Sequence, residues 1–541
     1  MKRRSTFARK LERRRKDPRG RRWLFVAYDQ LSDGFGPLSR EDPRELGIVL
    51  VESPAKASRR PYHKQKLALV LANLRHFALE QAERGVAVKH VVSPGSYGDA
   101  LGSLIDELGA DAPVRVMTPA ERELRADLGP LIRSGGLREI PHEGWLTTQD
   151  QFDRSQKGVP WRMDRFYRLV RRETGILMRD GKPEGGKLSF DAENRKPWTG
   201  RPPAPDPPRF KSDPVKEEVV ALVEERFGDH PGRLSREALP ATPADARKLW
   251  SWARRRCLPQ FGPYEDAMST RSSGLFHTRL SALMNLHRLL PRDVLDGALQ
   301  LDIPLASKEG FVRQVLGWRE FVRHVHVRTD GFRDLPGGGK PEFLGPGREL
   351  PPAFWDAGSG LACLDRVVRD VWEEGYSHHI TRLMVLSNLA TLLDCSPREL
   401  TDWFWTAYTD AYDWVVEPNV LGMGTFAVGD LMTTKPYVSG AAYIDRMSDY
   451  CGECAFDPRR TCPITPLYWA FLSRHARRLG RNPRMRIVMN ARKRRDPSQR
   501  RRDRAVFDSV RAALERGERL EPGPPAPRKR KRGTGRRTRE V

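Results

Sequence analysis

The chain has 541 residues, of which 38% are hydrophobic and 31% charged, which excludes a wholly disordered chain. No run approaches about 18 uncharged apolar residues, so no membrane span is expected, and residues 1–22 lack the apolar stretch of a signal peptide. Formal net charge is +26, and three segments (1–22, 474–504 and 528–541) carry 34 Lys/Arg against five acids, so the rest of the chain is close to neutral. Such basic ends attract polyanions such as DNA or RNA, but a solvated Arg-rich tail has the same composition, and charge alone does not identify the partner.

In chain order, the elements begin with five β-like runs, Trp23–Leu31, Ile48–Glu52, Val86–Val92, Val114–Thr118 and Leu137–Ile140. A helix over His63–Arg84 shows apolar positions Leu67, Val70, Leu71, Leu74 and Phe77 at three- and four-residue spacing. Strands alternating with helices predict an α/β domain with a parallel sheet. No G-x-G-x-x-G follows a strand and no G-x-x-x-x-G-K-[ST] occurs. A helix is expected near Trp161–Met178. The Gly/Pro-rich stretch Asp180–Asp213 reads as a connector.

From Pro214 onward helical periodicity dominates. The expected helices include Lys216–Phe227, Thr242–Arg256, Ser273–Leu290, Glu309–Val327, Leu364–Leu393 and Pro397–Trp414. This divides the chain into a basic arm (1–22), an α/β domain (23–145), a helix and connector (146–213), an all-α domain (214–478) and a basic extension (479–541).

Six Cys without an export signal argue for thiols or ligands over a disulfide scaffold. Cys451 and Cys454 form a C-x2-C pair, followed by Cys462, so one turn can chelate a metal or a cluster. Cys257, Cys363 and Cys395 are the candidates for a fourth thiolate, and spacing alone does not separate zinc from iron–sulfur. His378 and His379 lie in a helical pattern, where adjacent residues diverge by about 100°, so only one is expected to face a given cavity. Trp403-Phe404-Trp405 and Asp410-Ala-Tyr412-Asp413-Trp414 read as core packing in the absence of other context.

These stretches together resemble the photolyase/cryptochrome superfamily, and within it the iron–sulfur branch of prokaryotic (6-4) photolyases and bacterial cryptochromes. The resemblance spans most of residues 23–478. It includes Gln314-Val-Leu-Gly-Trp-Arg-Glu320, and its most specific parts are His378-His-Ile-Thr-Arg-Leu-Met384, Pro418-Asn-Val-Leu-Gly-Met423, Thr434-Lys-Pro-Tyr437 and Tyr443-Ile-Asp-Arg-Met-Ser-Asp-Tyr-Cys451. It implies an α/β antenna domain with a Rossmann-like parallel sheet and a large all-α FAD domain carrying a [4Fe–4S] cluster. The implied cluster ligands are Cys363, Cys451, Cys454 and Cys462. FAD would be approached by Thr278, Ser281, Gln314, Trp318, Arg319, His379, Arg382, Asp410 and Asn419. Electron transfer falls to Trp403 and Trp355, and proton donation to His379, then His378 or Tyr437.

The implied reaction is light-driven electron transfer from reduced FAD to a (6-4) photoproduct in UV-damaged DNA, by a cytoplasmic, monomeric lyase. A blue-light photoreceptor of the bacterial cryptochrome type is the alternative. A nucleic-acid-binding module resembling primase large subunits is a third reading, disfavoured by the flavin and antenna matches. Three departures stand out. The acid of the V-E-x-P-N stretch is displaced by one, to Glu417. Phe404 stands where Tyr is common. Lys56 and Arg59 stand where relatives of the branch often carry Glu and Tyr against a lumazine-type antenna, 6,7-dimethyl-8-ribityllumazine.

Overall fold

The structure is a computed structural model, and it describes residues 5–108 and 113–523. The basic stretch 528–541 lies outside the described residues.

Five parallel strands form one sheet: β1 (Arg22–Phe25), β2 (Leu46–Glu52), β3 (Ala87–Val92), β4 (Val114–Met117) and β5 (Leu137–Ile140), in the order β3-β2-β1-β4-β5. Each falls within one of the β-like runs or overlaps it closely. β2 (LGIVLVE) is buried along its whole length, as expected for a central parallel strand covered on both faces. The helix Lys64–Arg84 packs against the sheet and is capped by His63, whose ring accepts from Gln65 N. Residues 5–22 are not simply a solvated arm. Thr6–Glu12 is helical and buries Phe7, and Glu218 binds both Ser5 and Phe7 N.

The connector after Met163–Thr174 is irregular but packed. Phe190 and Phe210 are buried, and Asn194 Nδ2 donates to Glu265 Oε2 at 2.9 Å, so the segment straps the helical part. Beyond Asp213 the regular elements of the described residues are helices. Among the described residues no helix is long and apolar enough to cross a membrane.

Three expected helices are shorter than their periodicity suggests. In 273–290 only Ser281–Asn285 is helical, because Leu275, Arg279 and His287 adopt positive φ and break the ladder. Pro397–Trp414 ends at Ala407. Leu364–Leu393 is broken in two. Ala362–Glu374 stops at Gly375 in the left-handed region (φ 61°), and helix resumes at His379. A Cβ at Gly375 would lie 2.7 Å from Thr409 Cγ2. The break turns Tyr376–His378 into an extended segment, so pattern alone overshoots where one glycine redirects the chain.

The described part of the basic extension is likewise folded, into Pro483–Met485, Arg486–Arg494 and Pro497–Glu515. The last of these buries Phe507, Val510 and Leu514.

Gly375→Ala should destabilise the protein by about 1–2 kcal/mol, the cost of forcing an L side chain into the left-handed region. Chemical denaturation checks this, and an unchanged midpoint would count against the turn being obligatory.

Candidate active site

Three helices of the second half each contain one widened, π-helical turn: Arg313–Arg319, Arg382–Ser387 and Pro418–Gly424. All three turns face one cavity of about 280 Å³. A π turn swells the helix by one residue, displaces side chains from the regular stripe, and is often found at functional sites. Here the turns bring Gln314, Trp318, Arg319, Arg382 and Asn419 onto the same void. Thr278 and Ser281 reach it from the irregular 273–280 segment and the short helix that follows. Asp410 enters from the loop after Ala407.

Asp410 organises this wall. Its carboxylate accepts from Arg382 Nη1 and Nη2, both at 3.0 Å, and from Ser281 Oγ at 2.7 Å. Its carbonyl accepts from Asn285 Nδ2 at 2.8 Å. Burial alone would raise the acid, but Arg382 and Ser281 hold it below the usual carboxylate range. Arg382 also donates Nε to Ser377 O and lies 4.0 Å over the Tyr408 ring. Gln314 Nε2 donates to Glu265 Oε1 at 2.5 Å, and burial pushes Glu265 up.

Several donors have no partner within the protein. Arg319 Nε and Nη2 and Trp414 Nε1 are buried and bare, although Arg319 Nη1 donates to Glu320 at 2.8 Å. A buried donor left unmade costs about 1–3 kcal/mol, so these N–H groups are presented to a ligand with acceptors. The donor set therefore fits a large, anionic, heteroaromatic group.

Both histidines line this cavity, which corrects the expectation that only one would. His378 is not inside a helix. Its backbone is extended (φ −78°, ψ 168°) and His379 begins the helix, so the 100° offset does not apply. His378 is buried, stacks on His277 at 4.4 Å, and leaves Nδ1 without a partner. Burial and His277 push it well below the usual histidine range. His379 is exposed toward the void, and desolvation with nearby Arg382 lowers it to about 4. Tyr437 does not line the cavity. It is half-buried close to Asp191, an acid that His379 also senses. Glu417 does not line it either: Arg333 and Arg398 occupy its carboxylate at 3.0 and 2.9 Å.

Phe404 touches the cavity, and Trp403 stands behind it at 5.3 Å. Trp403 and Trp355 are joined by a residue that sequence reasoning does not single out. Trp372 lies 5.8 Å from Trp403 and stacks on Trp355 at 5.5 Å. Trp355 is 44% exposed, so the row runs from the cavity wall to solvent. Nothing local marks Trp372, since it sits in an amphipathic helix whose aliphatic side chains Leu364, Val367, Val368 and Val371 are core.

Cys363, Cys451, Cys454 and Cys462 line one small apolar void, and Cys363 senses the other three. Cys257 and Cys395 are buried elsewhere. Among the described residues, no three His, Cys, Asp or Glu side chains converge as a single metal ion requires.

A second cavity, about 180 Å³, lies at the C-terminal ends of β1 and β2. Such crevices are the usual ligand sites of parallel sheets. Tyr28, Lys66, Glu121, Trp405 and Tyr412 line it, and the Tyr28 and Tyr412 hydroxyls have no partner. Burial and Asp413 push Glu121 well up. Lys56 lines the cavity but is paired with Glu123 at 2.7 Å, and Arg59 lies outside it.

A family model described as deoxyribodipyrimidine photo-lyase-related protein matches residues 24–239. A (6-4) photolyase of Agrobacterium fabrum is 34% identical over 480 residues, covering 85% of this chain and 93% of that one. The chain belongs to the photolyase/cryptochrome family. Two solved structures share the photolyase/cryptochrome fold. A bacterial class III photolyase from Agrobacterium tumefaciens has TM-score 0.51 at 14% identity, over 91% of this chain and 97% of that one. A Synechocystis cryptochrome has TM-score 0.50 at 15% identity, over 75% and 82%.

Asp410→Asn should lower stability by about 3–5 kcal/mol, since it leaves the Arg382 guanidinium without its carboxylate in a buried site. The folded-state pKa of Asp410 is depressed, so its contribution is present above about pH 4 and is lost as pH falls through the lower folded value. Denaturation at neutral and acid pH checks both: the gap between wild type and variant should narrow on acidification.

Proposed function

We propose that this protein is a light-driven DNA repair lyase that uses FAD to reverse pyrimidine–pyrimidone (6-4) photoproducts. The observation that carries the reading is the convergence of His378, His379, Arg382 and Asp410 on one cavity with bare cationic and indole N–H donors. Alignment with a (6-4) photolyase along 85% of the chain supports it. FAD, when bound, would supply light absorption and the electron, while the protein supplies position, proton and electrostatics.

Arg382, Arg319, Thr278 and Ser281 would hold the cofactor's anionic and acceptor groups. The damaged base would be flipped toward the histidines, a step that costs least for a weakly paired lesion. In the DNA-free protein desolvation and Arg382 hold His379 below the usual histidine range, which favours its neutral form. A phosphate-rich substrate favours its protonated form, because nearby negative charge stabilises the imidazolium. His379 would then deliver the proton that makes group transfer within the lesion productive.

The four thiols around one void would hold a [4Fe–4S] cluster, which ties Cys363 to a segment about 90 residues further on. Trp403, Trp372 and Trp355 would carry electrons between the cavity wall and solvent. The second cavity would take a lumazine-type antenna, with Tyr28, Tyr412 and Glu121 as its polar contacts.

Anaerobic analysis should find about four iron and four sulfide per chain, as a [4Fe–4S] site requires. Cys454→Ala should lose the iron and Cys257→Ala should keep it; zinc in place of iron would overturn the assignment.

His379→Ala should keep FAD and lesion binding yet lose about 10²–10⁴-fold in repair, the usual contribution of a general acid. The measurement is quantum yield on an oligonucleotide bearing one (6-4) lesion, with flavin content read on the same samples. Near-normal yield would move the proton to His378 or water, and absence of repair in the wild type would favour the photoreceptor reading.

A further inference from the structure

Residues 477–502 carry twelve Lys/Arg against one acid, Asp496. Among the described residues only Arg495 of these twelve has a carboxylate within reach, Asp503 at 2.5 Å. By contrast, Arg474, just before this stretch, is held by Asp394 at 2.7 Å and lies 3.5 Å over the Phe507 ring. The segment is thus a folded module with a fixed unpaired charge, not a loose arm. Leu479, Met485, Met489 and Phe507 anchor it, all buried.

Its placement relates it to the candidate active site. Asn482 Nδ2 donates to Thr434 O at 2.9 Å. Thr433 Oγ1 in turn donates to Gly422 O, and Ser439 N donates to Asn388 Oδ1. The basic module therefore rests on the 430–439 loop, which is itself fastened to two of the helices that line the cavity.

Two features point to an anionic partner. Arg486 opens one helix, and Arg500, Arg501 and Arg502 lie in the first two turns of the next. Neither helix has an acid in its first turn. Cations at a helix N-terminus oppose the positive end of the dipole, a repulsion that a bound anion relieves at Arg486, whereas the second helix already carries Asp496 as its cap. A lipid surface fits less well. A membrane-lying helix needs an apolar face, and the Arg486–Arg494 helix exposes one large apolar side chain, Ile487.

We propose that residues 477–502 form a docking surface for the phosphate backbone of duplex DNA outside the lesion pocket. This rests on the DNA-repair reading above and adds where duplex affinity resides. Phosphate contacts position a protein without reading sequence, so the module supplies affinity and not lesion choice.

The test uses the full-length holoprotein with Arg484→Gln, Arg486→Gln, Lys493→Gln and Arg494→Gln combined, since Gln keeps helix propensity. Dark binding to an undamaged duplex oligonucleotide should weaken about 10-fold or more, and the logarithmic salt slope should fall by about 0.9 for each phosphate no longer neutralised. Repair per bound lesion at saturating DNA should be unchanged. Arg501→Glu with Arg502→Glu, on the other helix, should produce the same defect, which guards against a folding loss in the first variant.

Unchanged affinity and slope in both variants would overturn the proposal. So would a loss reproduced by deleting 528–541 alone, or loss of binding to phosphatidylserine vesicles with DNA binding intact. Because binding is read in the dark on undamaged duplex, failure of light-driven repair would strike the proposed function and leave this result standing.

Discussion

A single buried ammonium holds the wall between the two cavities. Lys66, from the helix that covers the sheet, donates Nζ to Trp405 O at 2.7 Å and to Ala411 O at 2.5 Å. These carbonyls bracket the chain reversal that carries Asp410. Phe404 and Asp410 face the larger cavity, and Trp405 and Tyr412 face the one at the sheet. One strip of backbone therefore serves as floor to both sites. Burial pushes Lys66 well below the usual lysine range, and Asp410 is among the groups that counter this. A truncated side chain here would leave two buried carbonyls bare and free the loop that orients Arg382.

The larger cavity depends on irregularity at each contributing element. Regular helices over 305–328, 379–392 and 413–424 would present a single stripe each. The π turns displace Trp318, Arg382 and Asn419 toward one point. Each distortion weakens the local hydrogen-bond ladder, and packing makes up for it. The connector strap supplies Asn194 to Glu265, which in turn fixes Gln314 and the carbonyl that meets His277. The segment of lowest secondary-structure content is thus part of the active-site support.

What can be read from sequence follows from the range of the interactions involved. The five strands are legible because burial on both faces demands continuous apolar runs such as Ile48-Val-Leu-Val51. The nine cofactor-binding candidates come from family resemblance, and the structure brings all nine onto one cavity. Periodicity misplaces helix ends where a non-local contact decides, as at Gly375, which must clear Thr409. Trp372 escapes notice because its significance is an alignment of rings from three helices, and helical periodicity assigns it only to a face. The terminal charges read as arms because composition does not report Phe7 or Phe507 reaching a core.

The two cavity histidines differ in what they can do with a proton. His378 is sealed by stacking on His277 and lies near Arg382 and Arg279, whose charges disfavour a proton there. It is suited to remain neutral and to offer Nδ1 as a hydrogen-bond acceptor or donor. His379 faces the open void and has Asp191 among its neighbours, an acid that favours its charged form. Anionic substrate arriving from the void would act on His379 first and would be screened from His378 by it. Adjacent residues of the same type thus acquire separate surroundings from one extended residue ahead of a helix, a difference set by backbone geometry and not by sequence position.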